Sequence, residues 1–196
     1  MIRSYGLKTG LDIGCGAGSP LTALRAIGFH STGIDASPLS IEGARGRGAH
    51  DEYVLGDFRL QEFDRCFDVV LLSHVIEHFT RDEGIGILRK AEELTKRIIY
   101  VETPYGFLEQ EDCDGNPFQR HLSGWFPHDF ESRGYKVFGM GARGLTGPMG
   151  EPRWFPNSIT RTIGRCTQWF FFRKPSLAAT IAAIKVVDES GNICKV

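Results

Sequence analysis

Three closely spaced glycines follow the first apolar run of the sequence and precede a segment of helical spacing. Gly14, Gly16 and Gly18 belong to segment 11–18, which reads Leu-Asp-Ile-Gly-Cys-Gly-Ala-Gly. A glycine loop between a strand and a helix brings the backbone close to a ligand, and at a helix N-terminus it usually holds phosphate. The spacing differs from the Gly-x-Gly-x-x-Gly of dinucleotide sites, and the carboxylate of Asp12 would repel a pyrophosphate. The loop therefore favours a cationic ligand that carries an amino acid.

Short apolar runs alternate along the chain with segments of helical spacing. The runs predict strands at 10–13, 31–34, 53–55, 67–72, 98–101, 135–140 and 178–187, and the spacing predicts helices at 21–27, 41–47, 81–96 and 129–132. This alternation predicts an α/β fold with an open, mostly parallel sheet and helices on both faces. Because no repeat or linker divides the chain, we expect a single domain over residues 1–196.

Two segments fall outside this alternation. Residues 105–124 are polar and rich in glycine, which predicts a long loop over the functional edge of the sheet. Residues 142–176 form an insertion before the last strand, and no acidic residue occurs between Pro152 and Val187. The insertion is basic and aromatic, and a helical apolar spacing predicts an amphipathic helix through Ile159, Ile163, Cys166 and Phe170.

Composition excludes several classes of protein. The 23 basic residues almost balance the 24 acidic ones, so no global field attracts nucleic acid, and we expect no DNA partner. The 5 cysteines are scattered and never form a Cys-x-x-Cys pair, which fits neither a disulfide framework nor a zinc knuckle. The N-terminus lacks a signal-peptide apolar region, and the most apolar stretch, 177–187, has about half the length of a bilayer span. We therefore expect a soluble cytoplasmic protein.

Acidic residues end two further predicted strands. Asp35 ends the second strand, about where a carboxylate binds ribose hydroxyls in this topology. Asp57 ends the third strand, where its carboxylate could accept from an exocyclic amine while Phe58 packs against a base. A purely structural alternative remains for each: Asp35 could cap the helix that starts at Ser37-Pro38, and Phe58 could belong to the core.

These motifs, together with Phe67-Asp68-Val69-Val70 leading to Ser73-His74, resemble the class I S-adenosylmethionine-dependent methyltransferases. The resemblance covers roughly residues 8–140. It implies a Rossmann-like, doubly wound sheet of seven mostly parallel strands with an antiparallel last strand. It also implies S-adenosylmethionine as the cofactor and S-adenosylhomocysteine as the product.

The resemblance further implies a role for each motif residue. Asp12 and the backbone of the glycine loop would hold the methionine moiety, Asp35 the ribose, and Asp57 with Phe58 the adenine. The region of Ser73 would hold the methionine amino group. The cofactor-binding residues expected on this basis are Asp12, Gly14, Cys15, Gly16, Gly18, Asp35, Ala36, Asp57, Phe58 and Ser73.

Histidines cluster after the fourth predicted strand, in segment 73–78, Ser-His-Val-Ile-Glu-His. Methyl transfer from a sulfonium needs alignment, but a hydroxyl acceptor must also lose its proton, and histidine is a suitable base at neutral pH. His74 and His78 are the candidate bases, with Glu77 as an orienting partner. His121 is a further candidate, since segment 121–126 is similar to loops that border acceptor pockets in sugar and secondary-metabolite methyltransferases.

The same segment has two metal-binding alternatives. His-x-x-Glu-His is the pattern of inverted zinc peptidases, but here it ends a buried strand and no second glutamate motif follows. Ubiquinone-type and small-RNA 2′-O-methyltransferases carry a similar Glu-x-x-Glu-His segment that holds a divalent metal. Because His74 stands where those enzymes have the first glutamate, we expect no metal ion here. If a metal ion does bind, His121 is available as an extra ligand.

The histidines favour O-methylation of a small molecule or glycan. Residues 153–174 could contact an anionic membrane and present a lipid-linked acceptor, or could instead form a lid or a homodimer contact. One rival hypothesis is a nicotinamide-dependent oxidoreductase, which the glycine spacing, Asp12 and the lack of a Tyr-x-x-x-Lys pair disfavour. A second rival is a cofactor-binding or membrane-associated accessory protein without catalytic activity.

Overall fold

Seven strands form one sheet in the computed structural model, which describes residues 6–110, 117–143 and 168–187. The strands are β1 (Thr9–Ile13), β2 (His30–Asp35), β3 (Glu52–Leu55), β4 (Phe67–Ser73), β5 (Thr95–Pro104), β6 (Lys136–Ala142) and β7 (Ala178–Val186). Their order in the sheet is β3-β2-β1-β4-β5-β7-β6. Strands β1 to β5 are parallel, and β7 is antiparallel to both β5 and β6. The predicted mostly parallel, doubly wound sheet with an antiparallel last strand is confirmed.

The helices occupy the predicted positions between these strands. They are α1 (Pro38–Gly46), α2 (Arg81–Glu93) and α3 (Pro127–Glu131), with 3₁₀ segments at Pro20–Ile27, Ile76–His78, Pro117–Gln119 and Pro175–Leu177. The segment that follows the glycine loop is thus a 3₁₀ helix. A short helix also covers residues 168–173. Among the residues described, no helix has the length and apolar character needed to cross a membrane.

Capping residues explain where the two longer helices begin. The Thr80 side chain accepts from the Glu83 N–H while the Glu83 carboxylate accepts from the Thr80 N–H, a capping box that starts α2. Ser37 caps α1, with Pro38 in its first turn. The helix predicted over 81–96 ends earlier, at Glu93, because Thr95 already pairs with Phe67 in the sheet. Strand pairing overrides the helical spacing at these last residues.

Alternating side chains of the central strands build a core on each face of the sheet. Val70 and Leu72 of β4 pack in one apolar cluster with Ile87 and Leu88 of α2. Val69 and Leu71 face the other way and pack with Leu21 and Phe29. The alternation follows from the period of two in a strand, so both faces are covered and the predicted two-sided arrangement is confirmed.

The connection between β6 and β7 leaves and returns at neighbouring points. Ala142, at the end of β6, pairs with Ala178, at the start of β7. Residues 144–167 of the predicted insertion lie outside the described residues, and so does most of the predicted amphipathic helix. The three described stretches share one sheet, and a single domain over 1–196 stays a prediction.

Candidate active site

Two adjoining cavities open at the edge of the sheet where the parallel strands end. The histidine cavity, of about 410 Å³, is lined by His74, His78 and His121 among others. The Asp35 cavity, of about 320 Å³, is lined by Asp35, Ala36, Asp57 and Phe58 among others. Both volumes are typical of small-molecule sites. The cavities are neighbours, because both are lined by Gly14, Gly16, His74, His78 and Gln119.

The glycine loop forms the wall between the two cavities. Gly14 and Gly16 have φ angles of 64° and 55°, in the left-handed region that side chains disfavour. A Cβ at Gly14 would also lie 2.6 Å from Cγ2 of Val75. Glycine is therefore required at Gly14, and the loop backbone is open to a ligand, which is what a cofactor cradle needs.

Asp35 links the glycine loop to the start of α1. One carboxylate oxygen accepts from the Gly16 N–H at 2.9 Å and the other from the Ser37 N–H at 2.8 Å. Asp35 thus has a structural role, although the residue that caps α1 is Ser37 and not Asp35. Each oxygen has a second lone pair and Asp35 lines the cavity, so the carboxylate can also accept from a hydroxyl. Ala36, the next residue, lines the same cavity.

Asp57 lies in the Asp35 cavity, but its carboxylate is already occupied. The side chain and backbone N–H of Arg59 donate to both oxygens, four contacts between 2.6 and 3.1 Å. The Arg59 hydrogen bonds hold the pKa of Asp57 below its ordinary value. An adenine amine would have to displace Arg59, which argues against the predicted role of Asp57. Phe58 lines the cavity yet is 5% exposed and belongs to the core.

The other predicted cofactor residues line the histidine cavity: Asp12, Cys15, Gly18 and Ser73. Asp12 is 2% exposed, and burial raises the pKa of its carboxyl to about 7, with the Ser19 hydroxyl opposing and the Asp35 charge adding to the shift. Burial likewise raises the pKa of the Cys15 thiol to about 12, so Cys15 is neutral and no nucleophile. These side chains can bind a ligand, but Cys15 supplies no covalent chemistry.

His74 is held between two carboxylates at the end of β4. Its Nδ1 lies 3.2 Å from Glu77 Oε1, and its Nε2 lies 3.5 Å from Glu102 Oε1. Burial opposes the charged ring, but the hydrogen bonds to Glu102 and Glu77 outweigh it and raise the pKa of His74 to about 9. His74 therefore carries a proton at neutral pH. A protonated imidazole accepts no proton, which argues against the prediction that His74 is the base.

His78 and His121 lie next to each other, with ring centroids 4.9 Å apart. His78 Nδ1 lies 3.2 Å from the Arg120 carbonyl oxygen, and His121 Nδ1 lies 2.7 Å from that of Leu108. Since a carbonyl oxygen only accepts, each Nδ1 must carry a proton. In a neutral ring the Nε2 then has a free lone pair. Burial lowers the pKa of His121, so this ring is neutral at pH 7.

Glu77 completes this cluster beneath the two rings. It is 2% exposed, and its Oε2 accepts from the Thr103 hydroxyl at 3.0 Å. Its backbone oxygen accepts from the N–H groups of Leu122 and Ser123, which fixes the loop that carries His121. Glu77, His78 and His121 each offer an atom within 4.8 Å of the others. The cluster can accept a proton, and its spacing also meets the requirement of the metal-binding alternative.

The loop predicted at 105–124 borders the site, as expected. Leu108, Gln110, Gln119 and His121 line the histidine cavity, and residues 111–116 lie outside the described part. Exposed apolar side chains of this loop, Phe118 and Leu122, line the Asp35 cavity. Sequence reasoning missed Glu102 and Thr103, although both lie at the end of β5, on the edge that strand order alone identifies.

Three comparisons bear on the identity of the chain. Residues 11–98 match the family model described as a methyltransferase domain. The chain is 39% identical over 127 residues to the ubiquinone biosynthesis O-methyltransferase of Rickettsia conorii, covering 61% of this chain and 44% of that protein. It is 31% identical over 165 residues to the cypemycin N-terminal methyltransferase of a Streptomyces species, covering 82% and 57%. The chain thus spans about half the length of these relatives.

The fold has solved counterparts. An S-adenosylmethionine-dependent methyltransferase from Archaeoglobus fulgidus superposes with a TM-score of 0.59 at 20% identity, over 94% of this chain and 90% of that one. The magnesium protoporphyrin IX methyltransferase of Synechocystis, with bound S-adenosylhomocysteine, gives 0.59 at 14% identity, over 94% and 78%. The sequence matches and the fold together support the family that the motifs of this chain resemble, the class I S-adenosylmethionine-dependent methyltransferases.

Proposed function

We propose that this chain transfers a methyl group from S-adenosylmethionine to a hydroxyl group of a small molecule, with His121 as the base. The observation that carries the proposal is the hydrogen bond from His121 Nδ1 to the Leu108 carbonyl, in the cavity that the glycine loop also lines. Burial lowers the pKa of His121, which favours the neutral ring. Its Nε2 lone pair is then available to a substrate hydroxyl. The relatives' names, an O-methyltransferase among them, are compatible with this chemistry.

The cofactor would extend across both cavities. The methionine end would lie in the histidine cavity near Asp12, and the ribose would bind Asp35. The apolar side chains of Val75, Phe79 and Ile87 line the Asp35 cavity and suit a flat base. This arrangement uses the open backbone of the glycine loop and does not require Asp57 to release Arg59.

The reaction needs few groups from the protein. Bound S-adenosylmethionine supplies a methyl group on a sulfonium sulfur. The acceptor oxygen forms a bond to the methyl carbon as the carbon–sulfur bond breaks, and the electron pair returns to sulfur. The hydroxyl proton passes to His121 Nε2. His74 stays protonated and positions Glu77, which supports the loop that carries His121.

A divalent metal is a second way in which the same cluster could activate a hydroxyl. Glu77, His78 and His121 fit such an ion by residue type and spacing, and the carbonyl partners of both rings leave Nε2 as the ligand atom. A bound metal would act as a Lewis acid toward the acceptor oxygen. Metal analysis of the purified protein and dialysis against a chelator separate this route from the proton-acceptor route.

The test of the proposed function begins with binding and continues with transfer. Titration calorimetry should show S-adenosylmethionine and S-adenosylhomocysteine binding and no binding of NADH. Methyl transfer is then measured by mass spectrometry on a panel of phenols, glycans and amines. His121→Gln should lose most of the turnover, whereas His128→Gln, a control whose side chain is 76% exposed, should not. Binding of NADH alone would overturn the cofactor, and methylation of amines alone would overturn the hydroxyl acceptor.

We also propose that residues 153–174 contact an anionic membrane surface. Residues 168–173 are helical, and Trp169, Phe170 and Phe172 are exposed, Trp169 to 66%. The Arg173 guanidinium lies 4.2 Å from the Trp169 ring centroid. Aromatic and basic side chains together favour a charged lipid interface. Trp169→Ala should reduce co-sedimentation with vesicles that contain phosphatidylglycerol, whereas loss of a dimer in the same variant would instead assign the surface to self-association.

We propose a cytoplasmic location for the enzyme. Cys15 and Cys66 are both free thiols in the described part of the chain, as is usual in a reducing compartment. Cell fractionation with an antibody to the chain tests the location. Recovery in the cytosolic and peripheral-membrane fractions is expected, and recovery outside the cell would contradict it.

A further inference from the structure

A buried histidine lies directly behind the glycine loop and contacts Asp12. The His50 side chain has no exposed surface, and its Nε2 lies 3.5 Å from Oδ2 of Asp12. Asp12 lines the histidine cavity, whereas His50 belongs to the connection between α1 and β3 and lines neither cavity. His50 can therefore act on a bound ligand only through Asp12.

Gly33 lets the His50 ring reach Asp12. Gly33 on β2 pairs in register with Asp12 on β1. A Cβ at Gly33 would lie 2.5 Å from Cδ2 of His50 and 2.9 Å from Sγ of Cys15. Both distances are too short for any side chain, so the histidine can cross β2 only where the strand has a glycine.

Further contacts fix the position of the His50 ring. Its Nδ1 lies 3.1 Å from the Ser31 hydroxyl, and its backbone N–H donates to the Tyr53 hydroxyl at 2.9 Å. The Tyr53 ring packs edge-on against it, with centroids 5.8 Å apart. A fully buried polar ring with this many partners is held in one orientation, with one edge toward Asp12.

The surroundings of Asp12 make its charge sensitive to such a neighbour. Four groups face it: the His50 ring, the Ser19 hydroxyl, the Cys15 thiol and the Asp35 carboxylate. Burial, with the Asp35 charge, disfavours the carboxylate, and the Ser19 hydroxyl favours it. Hydrogen bonding to a buried carboxylate stabilises its charged form. The negative charge of Asp12 would stabilise a cation bound in the histidine cavity.

We propose that His50 is a positioning residue for the cofactor: through Asp12 it strengthens the hold of the histidine cavity on the cationic amino group of the methionine moiety. The inference rests on the proposed function, since it requires a cofactor of this kind. The inference predicts that His50 affects binding at only one end of the cofactor, the amino-acid end. The nucleoside end, in the Asp35 cavity, should not depend on His50.

Two ligands separate the two ends. S-adenosylhomocysteine carries the amino-acid group, and 5′-methylthioadenosine has the same nucleoside without it. In titration calorimetry, His50→Phe should weaken S-adenosylhomocysteine binding about tenfold or more, while methylthioadenosine binding changes less than about twofold. His50→Gln, whose amide group can donate a hydrogen bond toward Asp12, should recover part of the loss. The control is His30→Gln, whose side chain is 51% exposed and pairs with Glu52 outside both cavities.

The outcomes distinguish failure of the inference from failure of the proposed function. If the wild-type chain binds neither ligand, the proposed function fails and the inference fails with it. If the wild type binds but His50→Phe weakens both ligands equally, His50 has a structural role only. If neither ligand is affected, His50 has no role. Should His50→Phe not fold, Ser31→Ala removes only the ring's Nδ1 partner and should weaken S-adenosylhomocysteine selectively. If Ser31→Ala changed the affinities for both ligands by the same factor, or changed neither, the inference would be overturned.

Discussion

Gly84 and Gly86 lie two residues apart on α2, yet an added methyl group should have opposite effects at the two positions. A Cβ at Gly84 would lie 2.5 Å from Cζ2 and 3.1 Å from Cη2 of Trp125, whereas one at Gly86 would meet no atom within 4 Å. Trp125 is 1% exposed, and its Nε1 donates to the Ser123 hydroxyl at 2.9 Å. The Arg81 guanidinium lies over the face of the indole, 4.1 Å from the ring centroid. The indole therefore cannot withdraw from a new methyl group.

The magnitudes follow from two opposing contributions. Alanine is favoured over glycine inside a helix by about 1 kcal/mol at both positions. Overpacking a filled core costs about 1–3 kcal/mol, and a contact this short to a fixed ring belongs at the upper end. We expect Gly86→Ala to raise the free energy of unfolding by about 0.5–1 kcal/mol. Gly84→Ala should lower it by about 1–2 kcal/mol.

Urea denaturation followed by circular dichroism measures both values, and a shift of the midpoint at constant slope shows a change in stability. Gly84→Ala should also lose turnover, because Ser123, the partner of Trp125, donates its backbone N–H to Glu77. The matched variant Gly86→Ala should keep wild-type turnover. A Gly84→Ala protein as stable as Gly86→Ala would refute the packing argument for Trp125.

Three further predictions address charge. Burial opposes ionisation of Asp68, but hydrogen bonds from residues 8–9 hold the pKa of its carboxyl below its ordinary value. Asp68→Asn should therefore lower Tm at neutral pH, and the difference should vanish as pH falls below about 4; a difference independent of pH would contradict this. Asp35→Ala should abolish S-adenosylhomocysteine binding in calorimetry, unlike the exposed control Asp64→Ala; retained affinity would remove Asp35 from the site. His74→Gln should reduce kcat while cofactor affinity changes less than about threefold; unchanged kcat would show that His74 positions nothing essential.

Hydrophobic periodicity predicted nearly all of the fold, because each strand of this sheet is a short apolar run with a sharp end. The runs at 10–13 and 67–72 match β1 and β4 within a residue or two. The predicted boundary between α2 and β5 was wrong. Apolar residues continue at helical spacing through Leu94, but Thr95 already pairs with a residue of the neighbouring strand β4. Pairing between strands that are far apart in the sequence cannot be inferred from the local spacing of apolar residues.

The site was predictable where strand ends alone determine it. Asp35 and Ser73, the last residues of β2 and β4, line the two cavities. The roles expected for Asp57 and His74 stay predictions, and the structure argues against both, because the charge state and free lone pairs of a side chain depend on neighbours that topology brings in. Glu102 makes His74 a cation, and no local pattern signals that contact.

Because Ala142 pairs with Ala178, the connection between these two residues can vary in length without a change in the sheet. The chain leaves and re-enters the sheet there, beside Pro104, which lines the histidine cavity. Closing a loop twice as long at fixed ends costs only about 0.6 kcal/mol more. Segments of very different size and composition can therefore be exchanged at this point with little effect on the sheet or the glycine loop.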